Sequence, residues 1–75
     1  MPSPKNHVMV KKLPIRLGQF LKLADQVQDG FEAKIRIQGG ETLVNGEVET
    51  RRGRQLHQGD VVQLAGKETL VVEQE

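Results

Sequence analysis

Three arginines within four residues, Arg51, Arg52 and Arg54 around Gly53, are the densest chemistry in this 75-residue chain. A guanidinium presents a planar fork of donors that grips phosphate or carboxylate oxygens two at a time, so the run forms a compact anion site. Gly53 lets the backbone bend close to a bound group. The same residues also suit a solvated loop whose arginines pair with Glu41, Glu47 or Glu49, and an isolated charge run more often has that character.

Other reactive side chains are sparse. Without Cys there is no disulfide, thiolate metal site or thiol nucleophile. His7 and His57 are far apart and have no neighbour to support a metal-binding or base role. No carboxylate pair, nucleophile beside a base, or phosphate-cradling glycine loop is present. The chain is therefore expected not to be an enzyme and to carry neither cofactor nor metal, with no small-molecule substrate. Seventy-five residues make one domain with a modest core, which leaves little room for an enclosed active site. No apolar run approaches the roughly 20 residues that cross a bilayer, and residues 1–12 lack a signal-peptide stretch. A cytoplasmic protein with no membrane partner is expected.

Net charge is only +1, but its distribution is uneven. Lys5, Lys11, Lys12, Arg16, Lys22, Lys34 and Arg36 face only Asp25, Asp29 and Glu32 in residues 1–40. Beyond the arginine run, Lys67 is set against Asp60, Glu68, Glu73 and Glu75. An anionic partner would approach the first two-thirds of the chain.

Those cations need elements to hold them. Residues 1–7, with Pro2, Ser3 and Pro4, read as a flexible tail, and 8–75 as a single domain. Residues 7–13 suit a short edge strand or an extended lead-in, closed by Pro14. Leu17, Phe20, Leu21 and Ala24 recur at helical spacing, which predicts a helix over 15–24 with Arg16, Gln19 and Lys22 on its polar side. Asp29 and Glu32 resemble a capping box and start a second helix near Gly30; Gly39-Gly40 stops it. Residues 33–38 also alternate like a strand, but the cap and the glycines favour helix. Ala33 and Ile37 then face one way, and Lys34 and Gln38 project beside them. After Gly40 the period becomes two: residues 42–44 and 47–49 form strands around an Asn45-Gly46 hairpin turn. Strands are also expected over 61–64 and 69–72, with Asp60 in a turn bonding its own backbone. The predicted class is α+β: two helices packed on a small, mostly antiparallel sheet.

The string from Gly39 through Val48, GGETLVNGEV, follows Glu32-Ala33-Lys34 on a helix and precedes Leu56-His57-Gln58-Gly59-Asp60-Val61-Val62. In that order it resembles the alpha-L RNA-binding motif, the domain of small-subunit ribosomal protein four. Short, single-domain bacterial members are the most similar, sharing LGQFLKLA at residues 17–24 and VETRRGR at 48–54. The resemblance covers about residues 15–64. It implies two helices and the following loop laid against structured RNA, with ribosomal RNA or a ribosome assembly intermediate as target. The RNA-binding residues so implied are Arg16, Gln19, Lys22, Lys34, Arg36, Arg51, Arg52 and Arg54. The chain departs from the motif at Phe31, where many relatives have a small residue, and at Ile35-Arg36, where a polar-then-apolar pair is commoner.

Aromatic residues constrain the expected mode of binding. There is no Trp or Tyr, Phe20 lies on the core stripe, and a packing role is expected for Phe31. Reading splayed bases relies on aromatic stacking, so recognition through phosphates and shape by a monomer, with low sequence specificity, is expected. Two rival readings stand beside this one. A small protein-interaction module could dock through a sheet edge at residues 70–72. A ubiquitin-like sulfur carrier is also similar in its strands, but it would need a Gly-Gly tail where Val72-Glu73-Gln74-Glu75 stands. The motif also rides on RNA-modifying enzymes, whose catalytic part would here have to be a separate polypeptide.

Overall fold

The computed structural model describes residues 6–74. Nine elements follow one another: strand β1 (Asn6–Val10), β2 (Ile15–Arg16), helix α1 (Leu17–Leu23), α2 (Gly30–Gln38), β3 (Thr42–Val44), β4 (Glu47–Val48), β5 (Gln55–Leu56), β6 (Val61–Leu64) and β7 (Lys67–Glu73). Five strands make one sheet in the order β1-β7-β6-β3-β4, antiparallel except for β1 beside β7. The short strands β2 and β5 pair separately and antiparallel, Ile15 opposite Leu56 and Arg16 opposite Gln55.

Local chemistry accounts for the elements. Leu17, Phe20 and Leu21 give α1 one buried face. Its end is a left-handed residue, Asp25 at φ 59°, which lets the Gln26 N–H reach the Leu21 carbonyl at 2.9 Å and the Asp25 N–H reach that of Lys22 at 3.0 Å. Helix α2 ends in the same way with less strain, because Gly40 (φ 80°) takes the left-handed position and the Glu41 N–H bonds the Arg36 carbonyl. At its start Asp29 Oδ1 accepts the Glu32 N–H at 2.9 Å. Glu32 reaches back one residue further than a capping box requires, accepting from the Gln28 N–H at 2.7 Å. Asn45 and Gly46, at φ 53° and 85°, make the expected hairpin turn between β3 and β4. Ala65 and Gly66 make a second one, aligning Leu64 with Lys67.

The inner positions of β3, β6 and β7 (Val44, Val62, Leu64 and Val71) join Leu17, Phe20, Leu21, Ala33, Ile37 and Leu56 in one buried cluster. Thr42 and Thr69 are buried on the same strands.

Three expectations need correction. Strand β1 begins at Asn6, so Asn6 and His7 belong to the sheet, opposite Thr69 and Leu70, and not to a tail; the rest of that tail, residues 1–5, lies outside the described residues. Residues 70–72 form no edge, because β7 has β1 on one side and β6 on the other, which removes the surface that strand addition required. Asp60 serves its turn through His57 and Asn45: Oδ2 accepts the His57 N–H at 2.8 Å and Oδ1 the Asn45 side-chain amide at 3.0 Å.

Phe20 is fully buried at the centre of the cluster. Phe20→Ala is expected to cost about 3–5 kcal/mol in urea unfolding. A loss under about 1 kcal/mol would show that the helices are not anchored there.

Candidate nucleic-acid interface

The loop after β4 is organised by Glu49, which is only 7 % exposed. A buried carboxylate needs compensation, and Glu49 receives four hydrogen bonds. Its Oε2 accepts from the Arg51 backbone N–H and Nε, both at 3.0 Å, while Oε1 accepts from Arg51 Nη2 at 3.2 Å and Arg54 Nη1 at 2.8 Å. The hydrogen bonds from Arg51, and then from Arg54, hold its carboxyl at about 2, against the opposing effect of burial.

With both flanking arginines drawn to one carboxylate, the chain turns between them. The Arg54 N–H bonds the Arg51 carbonyl at 3.2 Å, which leaves Arg52 and Gly53 at the tip. Helix α1 has no side-chain cap at Arg16, and the loop supplies one from its backbone. The Leu17 N–H donates to the Arg54 carbonyl at 2.8 Å and the Gly18 N–H to the Arg52 carbonyl at 3.1 Å. These bonds satisfy two of the free N–H groups at a helix start. They also fix Arg52 against the polar side of α1.

Between this loop and the two helices lies an open concavity of about 370 Å³, lined by Arg16, Gly18, Gln19, Lys22, Gly30, Ala33, Arg52 and Gly53. Its three charged liners are all cations. Among the described residues none of Arg16, Lys22, Lys34 and Arg52 takes part in an ion pair. A concave, single-sign site of this kind concentrates field and attracts anions. Gly18 and Ala33 contribute small residues to its lining, and a Cβ on Gly18 would make only ordinary contacts, 3.8 Å from the Arg52 carbonyl oxygen and 4.0 Å from Ala33 Cβ.

The eight residues implied by the resemblance therefore separate. Arg16, Gln19, Lys22 and Arg52 converge on the concavity. Lys34 is exposed one helical turn after the liner Gly30. Arg51 and Arg54 are engaged by Glu49, although the Arg51 side chain remains 74 % exposed. Arg36 is occupied elsewhere, 2.9 Å from Glu41 and 3.6 Å from Glu32. The pairing of loop arginines with a glutamate thus coexists with an anion site, because it involves two arginines and leaves the third free. Sequence reasoning missed the small-residue lining, for which a glycine inside a helical pattern was the available signal. It also expected Phe31 to pack, and Phe31 is exposed. Both His7 and His57 are exposed, and among the described residues no group of three His, Asp or Glu could hold a metal ion. No helix of the described residues is long and apolar enough to cross a membrane.

Comparison with known proteins identifies the family and the fold. The S4 domain family matches residues 8–73. RlbA of Bacillus subtilis (strain 168), named as a probable ribosome maturation protein, is 49 % identical over 61 residues, covering 81 % of this chain and 86 % of that one. YbcJ of Escherichia coli (strain K12) is 38 % identical over 58 residues, covering 77 % and 83 %. The solution structure of E. coli YbcJ, described as revealing an alfaL motif involved in RNA-binding, superposes with a TM-score of 0.70 at 35 % identity, over 93 % of this chain and 90 % of that one. None of these relatives is an enzyme by name.

The Glu49 clamp has a pH signature. Because its folded carboxyl titrates near 2 and the ordinary value is 4.5, its stabilisation is complete above 4.5 and is lost as pH falls toward 2. Glu49→Gln is expected to flatten that acid limb in denaturant melts taken across the same range. Superimposable limbs for the two proteins would show that the clamp does not stabilise the fold.

Proposed function

The chain belongs to the S4 domain family, and from that premise we propose that it binds structured RNA through the concavity between α1, α2 and the loop tip, holding phosphates with Arg16, Lys22 and Arg52. The observation that carries this reading is the convergence of three unpaired cations on one open site with no carboxylate in its lining. A duplex or folded RNA presents phosphates at fixed spacing, and a rigid set of cations reads that spacing without reading bases. Gln19 adds a neutral hydrogen-bonding group within the site, and Lys34 extends the charge along α2. Arg51 supports Arg52 and offers its exposed edge to a neighbouring phosphate, while Arg54 acts through the loop. Arg36 contributes least, since its guanidinium already serves two carboxylates.

The name of the Bacillus relative supports a target in ribosomal RNA or an assembling ribosomal particle. The protein works there by binding and not by catalysis, as a monomeric domain that includes strand β1 from Asn6, in the cytoplasm. The concavity has no enclosed chamber and no nucleophile-base pair in its lining, so it provides contact and charge and no means of bond cleavage.

Binding to a folded ribosomal RNA fragment tests this. With about four phosphates neutralised, log affinity should fall with log salt at a slope near −3, about 50- to 150-fold between 50 and 200 mM. Arg52→Ala and Lys22→Ala should each reduce the slope by about 1, and Arg36→Ala should leave it nearly unchanged. Salt-insensitive binding, or equal losses from Arg36 and Arg52, would refute the assignment.

A further inference from the structure

Phe31 is 72 % exposed, whereas Phe20, the other aromatic residue of the chain, is fully buried. The fold does not need Phe31 for packing, because α2 buries Ala33 and Ile37 against the core. The ring nevertheless has a defined address. Phe31 directly follows Gly30, a liner of the concavity, and stands on the neighbouring, solvent-exposed side of α2. Lys34 is one turn from both, at i+4 from Gly30 and i+3 from Phe31, and therefore lies between the concavity and the ring. Ile35, at i+4 from Phe31 and 52 % exposed, widens the apolar strip on the far side.

We propose that Phe31 is a stacking platform for one unpaired base of the bound RNA, with Lys34 holding the phosphate of that nucleotide. The inference rests on the phosphate-binding reading of the concavity and adds a specificity that the cations cannot supply. A flat apolar ring beside an unpaired lysine, continuous with a cationic site, matches a nucleotide, which joins a planar base to an anion. An apolar protein surface would instead leave Lys34 and the neighbouring cations desolvated and unmatched. Every base has a face to stack, so the preference is for an unpaired nucleotide at one position and not for its identity.

Two RNA hairpins test this: one with a fully paired stem, and the same stem carrying a single bulged 2-aminopurine. Wild-type protein should bind the bulged hairpin about 5- to 150-fold more tightly than Phe31→Ala does and should change the 2-aminopurine fluorescence on binding. Phe31→Trp should keep both properties. All three proteins should bind the paired hairpin equally and with one salt slope. Ala is the better helix former, so Phe31→Ala should melt with wild type. The proposal is overturned if Phe31→Leu binds the bulged hairpin as wild type does, or if Phe31→Ala weakens both hairpins alike or neither. In those cases salt-dependent binding would persist and the phosphate reading would survive. Loss of salt-dependent binding to both hairpins by wild type would instead remove that reading, and this one with it.

Discussion

The hydrogen bonds around the Glu49 carboxylate fix more of this molecule than their number suggests. A carboxylate removed from water is costly unless its oxygens are filled, and here both are filled by arginines two and five residues further along the chain. That requirement closes the segment into a turn. The turn aims the carbonyls of Arg52 and Arg54 at the first free N–H groups of α1, so one buried charge satisfies the start of a helix that has no side-chain cap of its own. The β2-β5 ladder, two residues long on each strand, holds the same junction from the other side. Without the clamp, the junction would rest on that short ladder and the two helix N–H bonds alone, and the backbone that carries Arg52 would be less firmly placed.

Three neighbouring arginines therefore do different work although they are chemically identical. Arg51 turns its planar fork and Arg54 a single nitrogen toward a partner inside the chain, and Arg52 has no such partner among the described residues. Fixing the backbone on both sides of Arg52 lowers the ordering cost that a ligand must meet when it engages that side chain. Bidentate geometry explains why a lysine would serve poorly at 51, where Nε and Nη2 bond the two oxygens of Glu49: an ammonium is a point charge and does not fix the direction of the chain that carries it.

Much of this was legible in the residues. The spacing of Leu17, Phe20 and Leu21, the Asp29 cap, the Gly39-Gly40 stop and the Asn45-Gly46 turn are local signals, and each marks its element in the structure. What escaped depends on contacts distant in sequence. Whether residues 70–72 form an edge depends on β1, some sixty residues earlier, choosing to pair in parallel with β7. The burial of Glu49 is invisible in a run of charged residues, since composition marks it as a surface group. Phe31 failed for the opposite reason. Hydrophobicity predicts burial, but its position on α2 points away from Ala33 and Ile37, and position wins over residue type. Among the site residues, the helical period placed Gln19 and Lys22 together, whereas Arg16, expected on the same helix, stands in β2 as the extended N-cap of α1, and nothing local separated Arg52 from the arginines beside it.

A net charge of +1 looks too small for a protein whose partner is a polyanion, and the arrangement of the acids resolves this. Asp29 and Glu32 cap α2, Glu41 and Glu32 neutralise Arg36, Glu49 clamps the loop, and Asp60 ties a turn to Asn45. Glu32, Glu41 and Glu49 are matched to arginines, so their fields are largely cancelled at short range, whereas Asp29 and Asp60 bond neutral N–H groups and keep their charge. The cations of the concavity have no such match. An approaching phosphate is governed by nearby uncompensated charge, because screening at physiological salt suppresses the rest beyond about 8 Å. Net charge counts all ionised groups equally, whereas the concavity presents the few that the fold has left unpaired. A nearly neutral chain thereby shows a cationic face, because Arg16, Lys22 and Arg52 converge on a concavity whose lining holds no carboxylate.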